Sequence, residues 1–122
     1  MSIPQFQITF KVLKTVLKKY EKNLKVHIDT NNTYYLNAGY DEKRKNNYFF
    51  GGVVIKKNYV SFHLMAVYCE PNLLKDISPE LKKRIQGKSC FNFNTIDRDL
   101  LKELTALTKK GFEYYKKEGM LQ

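Results

Sequence analysis

The chain contains no tryptophan, two cysteines (Cys69 and Cys90), three prolines, and three arginines among its 22 cationic residues. Each shortage excludes a class of protein. Two cysteines cannot staple a disulfide scaffold, and no charged-then-apolar leader follows Met1, so a reduced cytoplasmic setting is expected. The apolar runs, such as Leu64 to Val67, fall far short of the roughly 20 residues a membrane helix needs, so no membrane partner is expected. With only Arg44, Arg84 and Arg98 capable of forked contacts, arginine-based recognition of bases or phosphates has little material. A phosphate-cradling glycine loop, a paired-cysteine metal site and a nucleophile motif are all missing. Gly87-Lys88-Ser89 imitates only the tail of a phosphate loop, because the earlier glycine is lacking and a strand follows.

Lysine and aromatic residues are plentiful. The formal charge is +10, with nine tyrosines and eight phenylalanines in a chain that is 43% hydrophobic. Such a composition builds a core, and 122 residues make one domain, residues 1–122, with no internal linker or repeat. The positive surplus favours a polyanionic partner. Its spread along the whole chain disfavours one, which leaves nucleic-acid binding as an alternative reading and a solvated basic surface as the plainer one.

Periodicity then places the elements. Phe6, Phe10, Leu13, Leu17 and Tyr20 recur at helical spacing behind a capping box formed by Ser2 and Gln5, so a helix is predicted to about Lys22, with Lys11, Lys14, Lys18 and Lys22 along another side. The period changes to two from Leu24, putting Val26 and Ile28 on one side and His27 on the other. Thr30-Asn31-Asn32 turns the chain into a returning strand through Tyr34, Tyr35 and Leu36. Residues 39–47 are polar enough to read as a loop. Tyr48 to Ile55 reads as a strand broken by Gly51-Gly52, a pair that signals a bulge or a close approach to the backbone. Tyr59 to Tyr68 is predicted as a central strand. Pro71 to Ile77 reads as a helical turn or loop, Ser78-Pro79 starts a short helix, Gln86-Gly87 stops it, and Cys90 to Asn94 is a strand with Phe91 and Phe93 on one face. The last helix opens near Thr95 or Asp97 and closes at Lys116-Lys117-Gly119. Leu100, Leu104, Leu107 and Tyr115 form its buried stripe, with Gly111 allowing tight packing. The expected fold class is α+β: a mainly antiparallel five-stranded sheet with the N- and C-terminal helices packed on one face.

If helices cover the face holding Val26, Ile28, Val60, Phe62, Phe91 and Phe93, the opposite face carries His27, Ser61, His63, Met65, Cys90, Asn92 and Tyr35. The candidate ligand-binding residues are therefore His27, Ser61, His63 and Asn92, with Tyr48 and Lys88 beside them. His27, His63 and Cys90 together fall short of the usual three or four converging metal ligands without a known register, so no metal site and no cofactor are assigned. Cys90 with His63 as its base is a conceivable nucleophile, but no third orienting residue is evident and no catalytic residue is assigned. Tyr48, Phe49, Phe50 and Tyr59 could stack bases beside the lysines of residues 43–45. Such aromatics serve more commonly as cross-strand packing pairs.

The segments Tyr48-Phe49-Phe50, Tyr59-Val60-Ser61-Phe62-His63 and Gly87-Lys88-Ser89-Cys90-Phe91-Asn92-Phe93 resemble the YdhG-like family of small bacterial domains of unknown function, over residues 15–118. The resemblance implies a compact α+β sandwich similar in outline to frataxin. Some relatives are described as frataxin-like iron chaperones, which would imply ferrous iron delivery. The residues themselves dissent, because hard iron sites need clustered carboxylates and the acidic groupings are Asp41-Glu42 and Asp97, Asp99, Glu103. The expected function is a non-catalytic cytoplasmic binding module that uses its open sheet face for a small ligand or a protein partner. The alternatives are an electrostatic nucleic-acid binder and an iron chaperone, and a homodimer through an exposed sheet edge or the aromatic face is left open by the residues.

Overall fold

The computed structural model describes residues 4–121, so the Ser2 cap lies outside the described residues. Helix α1 spans Pro4–Lys18 and seats Phe6, Phe10, Leu13, Val16 and Leu17 in the core. It ends earlier than its periodicity suggests: Tyr20 begins a 3-10 turn, Glu21–Asn23, that swings the chain into the sheet. The strands are β1 (Lys25–Asp29), β2 (Thr33–Asp41), β3 (Asn46–Ile55), β4 (Val60–Leu64), β5 (Ile85–Gln86) and β6 (Cys90–Phe93). They form an open antiparallel sheet in the order β1-β2-β3-β4-β6-β5. Six strands stand where five were expected. The extra one, β5, lies in a segment read as the tail of the middle helix.

Three further differences have local causes. Of residues 39–47, expected to be a loop, 42–45 form the turn, while β2 continues to Asp41 and β3 starts at Asn46 in a hairpin that pairs Tyr40 with Asn47. Strand β4 stops at Leu64 rather than Tyr68, and Met65–Cys69 forms helix α2, which buries Ala66 and Val67. The middle helix α3 is one turn, Pro79–Lys82, capped by the Ser78 side chain on the Leu81 amide. Between α2 and α3, Pro71–Leu74 forms a 3-10 turn.

The last helix, α4 (Arg98–Lys117), starts on an Asp97 carboxylate that accepts from the Leu100 amide. It stops with Gly119 at φ 71, which lets the Met120 amide reach back to the Tyr115 carbonyl and the Gly119 amide to Lys116. Only a residue comfortable in the left-handed region closes a helix this way. The Met120 carbonyl then accepts from the Gly39 amide at 2.8 Å, fixing the end of α4 against β2.

Helices α1 and α4 lie on one face over Tyr34, Leu36, Phe50, Val53, Phe62, Leu64, Phe91 and Phe93, all fully buried. Gly111 on α4 sits where an added Cβ would lie 3.0 Å from Ala66 Cβ, so it is the α2–α4 contact that its missing side chain permits. A polar bridge joins α3 to α4: the Glu103 carboxylate accepts from the Ser78 amide at 2.8 Å and the Ser78 hydroxyl at 2.6 Å. Among the described residues no helix is long and apolar enough to cross a membrane.

Candidate functional site

The uncovered face of the sheet is assembled by register. His63 lies between Gly52 on β3 and Cys90 on β6, with Tyr35 the next partner beyond Gly52. Ser61 lies between Val54 and Asn92. Alternation along β4 therefore places Ser61, His63, Cys90 and Asn92 together, as the period-two reading requires. Gly52 is where the backbone is closely approached: the Tyr35 ring lies across it, so close that an added Cβ would be 2.1 Å from Tyr35 Cδ1. With no side chain beneath it, that ring meets Phe49 edge-on at 5.5 Å and His63 at 6.3 Å, while Phe49 and His63 stand 6.4 Å apart. The neighbouring Gly51 serves the opposite face, under Leu17 of α1.

His63 Nδ1 lies 3.1 Å from Cys90 Sγ. Burial holds the imidazole below its ordinary pKa, and the positive charge of Lys56 pushes the same way. Both effects favour the neutral ring. Ser61 is 3% exposed. Asn92 gives its amide to Gln86 Oε1 at 2.7 Å, while its own Oδ1 is buried without a donor among the described residues.

Two of the faces expected for β1 and β4 need correction. A bulge separates Val26, which pairs with Leu36, from Ile28, which pairs with Tyr35, so these two residues do not share a face. His27 is the extra residue of that bulge, exposed on the edge strand with β2 and β3 between it and β4. It is not brought to the other candidates. Met65 likewise leaves the sheet face, because it opens α2.

Tyr48 lines a second feature, at the end of the β2–β3 hairpin, and Lys88 touches it only through the Tyr68 ring. Where β4 gives way to α2, the first residues of β3 run on without β4 beside them. The notch so formed is a cavity of about 470 Å³. Its aromatic and apolar walls are Tyr48, Phe49, Met65, Tyr68, Tyr115 and Met120, and its polar rim is Asp41, Arg44, Asn46, Asn47 and Cys69. Tyr115 donates its hydroxyl to the Phe49 carbonyl at 2.5 Å, joining α4 to the cavity wall, and its burial raises the phenol's pKa. Arg44 stands over the Tyr48 ring at 5.7 Å and pairs with Asp41 at 2.9 Å. That bond is the main reason the Asp41 carboxyl lies below its usual range. Lys88 Nζ, outside the lining, sits 5.6 Å from the centre of the Tyr68 ring. Tyr68 itself is 54% exposed, a large aromatic presented to solvent at the cavity mouth. Partial burial raises the Cys69 thiol's pKa, opposed by the charge of Arg44.

Of the cavity's residues, sequence reasoning named Tyr48 but missed Arg44, Tyr68 and Cys69. Reading Tyr59 to Tyr68 as one strand hid the helix that carries the last two. No family model, curated protein or solved structure matches the chain, so function is argued from the site itself.

Proposed function

We propose that the protein is a binding module for a small organic anion with a planar apolar body, held in the cavity where the end of the β2–β3 hairpin meets α2 and the last turn of α4. The single observation that carries this reading is the cavity's composition. A space of about 470 Å³ lies within the range of small-molecule sites, and its aromatic walls come with Arg44 of the lining seated on the Tyr48 ring and with Lys88, outside the lining, on the Tyr68 ring. Cations held in this way are pre-positioned for an anionic head group above an aromatic floor. Asp41 is the one acid lining the cavity, and Arg44 already neutralises it.

The two alternative functions find less support. The open face around Ser61, His63, Cys90 and Asn92 bears no charged side chain in its paired rows, and Tyr35 and Phe49 are packed against each other rather than presented for base stacking. That arrangement does not match a nucleic-acid track. Iron delivery lacks its ligands. Among the described residues no group of three or more His, Cys, Asp or Glu converges, and the carboxylates of Asp41, Asp97 and Glu103 are engaged by Arg44, the Leu100 amide and Ser78.

Thermal-shift titration with benzoate and 4-hydroxybenzoate at low and moderate salt tests the proposal, because a ligand that binds only the folded chain raises the midpoint. The expected result is a shift that is lost in Tyr68→Ala and Arg44→Ala and kept in His63→Ala. A shift that disappears in His63→Ala instead would move the site to the sheet face. No shift would reject the anion reading.

A further inference from the structure

Apart from the anion cavity, we infer that the outer side of α4 is a docking groove for an acidic amphipathic helix of another protein. Residues 106–117 of α4 and the 3-10 turn Pro71–Leu74 border a second space, of about 570 Å³. Leu73, Ala106 and Tyr114 line it together with Lys109, Lys110, Glu113 and Lys117. The surface these residues present is almost wholly apolar although four of them are charged. The methylene stems of those four therefore face the groove and their charged ends lie at its margin. Leu73 and Tyr114 are half-buried and the others exposed, so no described element of this chain covers the groove.

Shape and charge together choose the occupant. Ala106, Lys109, Lys110, Glu113, Tyr114 and Lys117 recur three and four residues apart, a stripe along α4 about 16 Å long at ~1.5 Å per residue. A stripe of three turns is what a second helix laid into a groove contacts, and the single methyl of Ala106 lets its backbone come close. Three lysines stand against one acid, Glu113, and none of the three is in an ion pair among the described residues. Towards α3 the groove runs on into a smaller space beside Asp76, Ile77 and Glu103, where Ser78 already engages the Glu103 carboxylate. The unpaired charge in the main groove is thus positive and calls for carboxylates on the incoming helix.

A second copy of this chain does not supply them. Helix α1 carries Lys11, Lys14 and Lys18 and no acid, α2 carries no charge, and α4 would bring the same basic stripe to its twin. At a formal charge of +10 the two copies also repel. The occupant is a separate chain whose apolar stripe fills the space and whose flanking Asp or Glu residues meet Lys109, Lys110 and Lys117.

Fluorescence anisotropy with a labelled peptide of about 18 residues, five helical turns, tests the inference. Its leucines recur at helical spacing with glutamates on both flanks, and a scrambled peptide of the same composition keeps the charge without the stripe. At about 0.15 M salt the striped peptide is expected to bind at least about tenfold tighter, the worth of seating one leucine on apolar surface. Ala106→Glu, at an exposed helical position that the fold tolerates, is expected to abolish that preference. Lys109→Glu combined with Lys117→Glu is expected to weaken binding by about tenfold, and Arg44→Ala to leave it unchanged. Equal binding of the two peptides would mean that the chain attracts any polyanion, and it overturns the inference. So does a preference that survives Ala106→Glu, one that Arg44→Ala removes, or a failure of the striped peptide to bind.

Discussion

Replacing Gly52 by alanine would drive a methyl group into the Tyr35 ring. The new Cβ would lie 2.1 Å from Cδ1 and 2.7 Å from Cε1 of that ring, and 2.8 Å from the Tyr34 carbonyl oxygen. Carbon atoms in contact sit about 3.5–4.0 Å apart, so the ring must leave its place over the backbone. Gly52 is in the middle strand of a three-strand row, between β2 and β4, which gives the backbone little room to yield. Overpacking of this kind costs about 1–3 kcal/mol, and at ~4 °C per kcal/mol the melting temperature of a chain this size should fall by roughly 4–12 °C. Urea denaturation followed by circular dichroism would measure the cost. Because the ring is the nearer obstacle and the Tyr34 carbonyl the farther one, Gly52→Ala in a Tyr35→Ala background should cost less than in the unaltered chain, with a coupling energy of about 1 kcal/mol. Equal costs in the two backgrounds would refute the argument that the glycine exists to seat the ring.

Tyr115→Phe removes the hydroxyl that meets the Phe49 carbonyl and should destabilise by about 1–2 kcal/mol, with the amide of residue 50 exchanging faster in hydrogen-exchange measurements. Ser78→Ala removes both the α3 cap and a donor to Glu103 and should cost about 1–2 kcal/mol in urea titration, more than a surface serine would. Stability should also depend on pH through His63. Its folded-state pKa lies below the unfolded 6.5, so from pH 6.5 down to the folded value the unfolded chain binds the proton more readily. Stability therefore falls as pH drops through that window and levels off once both states are protonated. His63→Gln should flatten this part of a stability-pH curve, and an unchanged curve would argue against the desolvated, neutral ring.

The parts of the fold legible in the sequence are those set by local rules. Helix α4 announces itself by the Asp97 cap, the Leu100-Leu104-Leu107 stripe and Gly119, and α3 by Ser78-Pro79. Period two along β4 correctly puts Ser61 with His63 opposite Phe62. The illegible parts depend on distant partners. Met65–Cys69 continues the apolar run of β4, and it is the packing of Ala66 against Gly111 that accompanies its helical turn away from the sheet. The hairpin of β2 and β3 reaches beyond the core, so its outer residues need no apolar alternation and Tyr40 to Asn47 reads as loop. Two residues of β5 are too few to carry any period. His27 was misplaced because a bulge shifts the alternation by one, and a bulge depends on pairing register. The cavity escaped notice for the same reason, being drawn from the hairpin end, α2 and the last turn of α4.

Binding of small planar anions in the cavity beside Phe49 is tested most directly by a ¹H–¹⁵N NMR titration with benzoate. The expected result is saturable shifts at the amides and side chains of Arg44, Tyr48, Phe49, Tyr68 and Cys69, with the amides of β1 and the outer face of α4 still. Shifts centred on Ser61, His63 and Asn92, or none at millimolar benzoate, would contradict it.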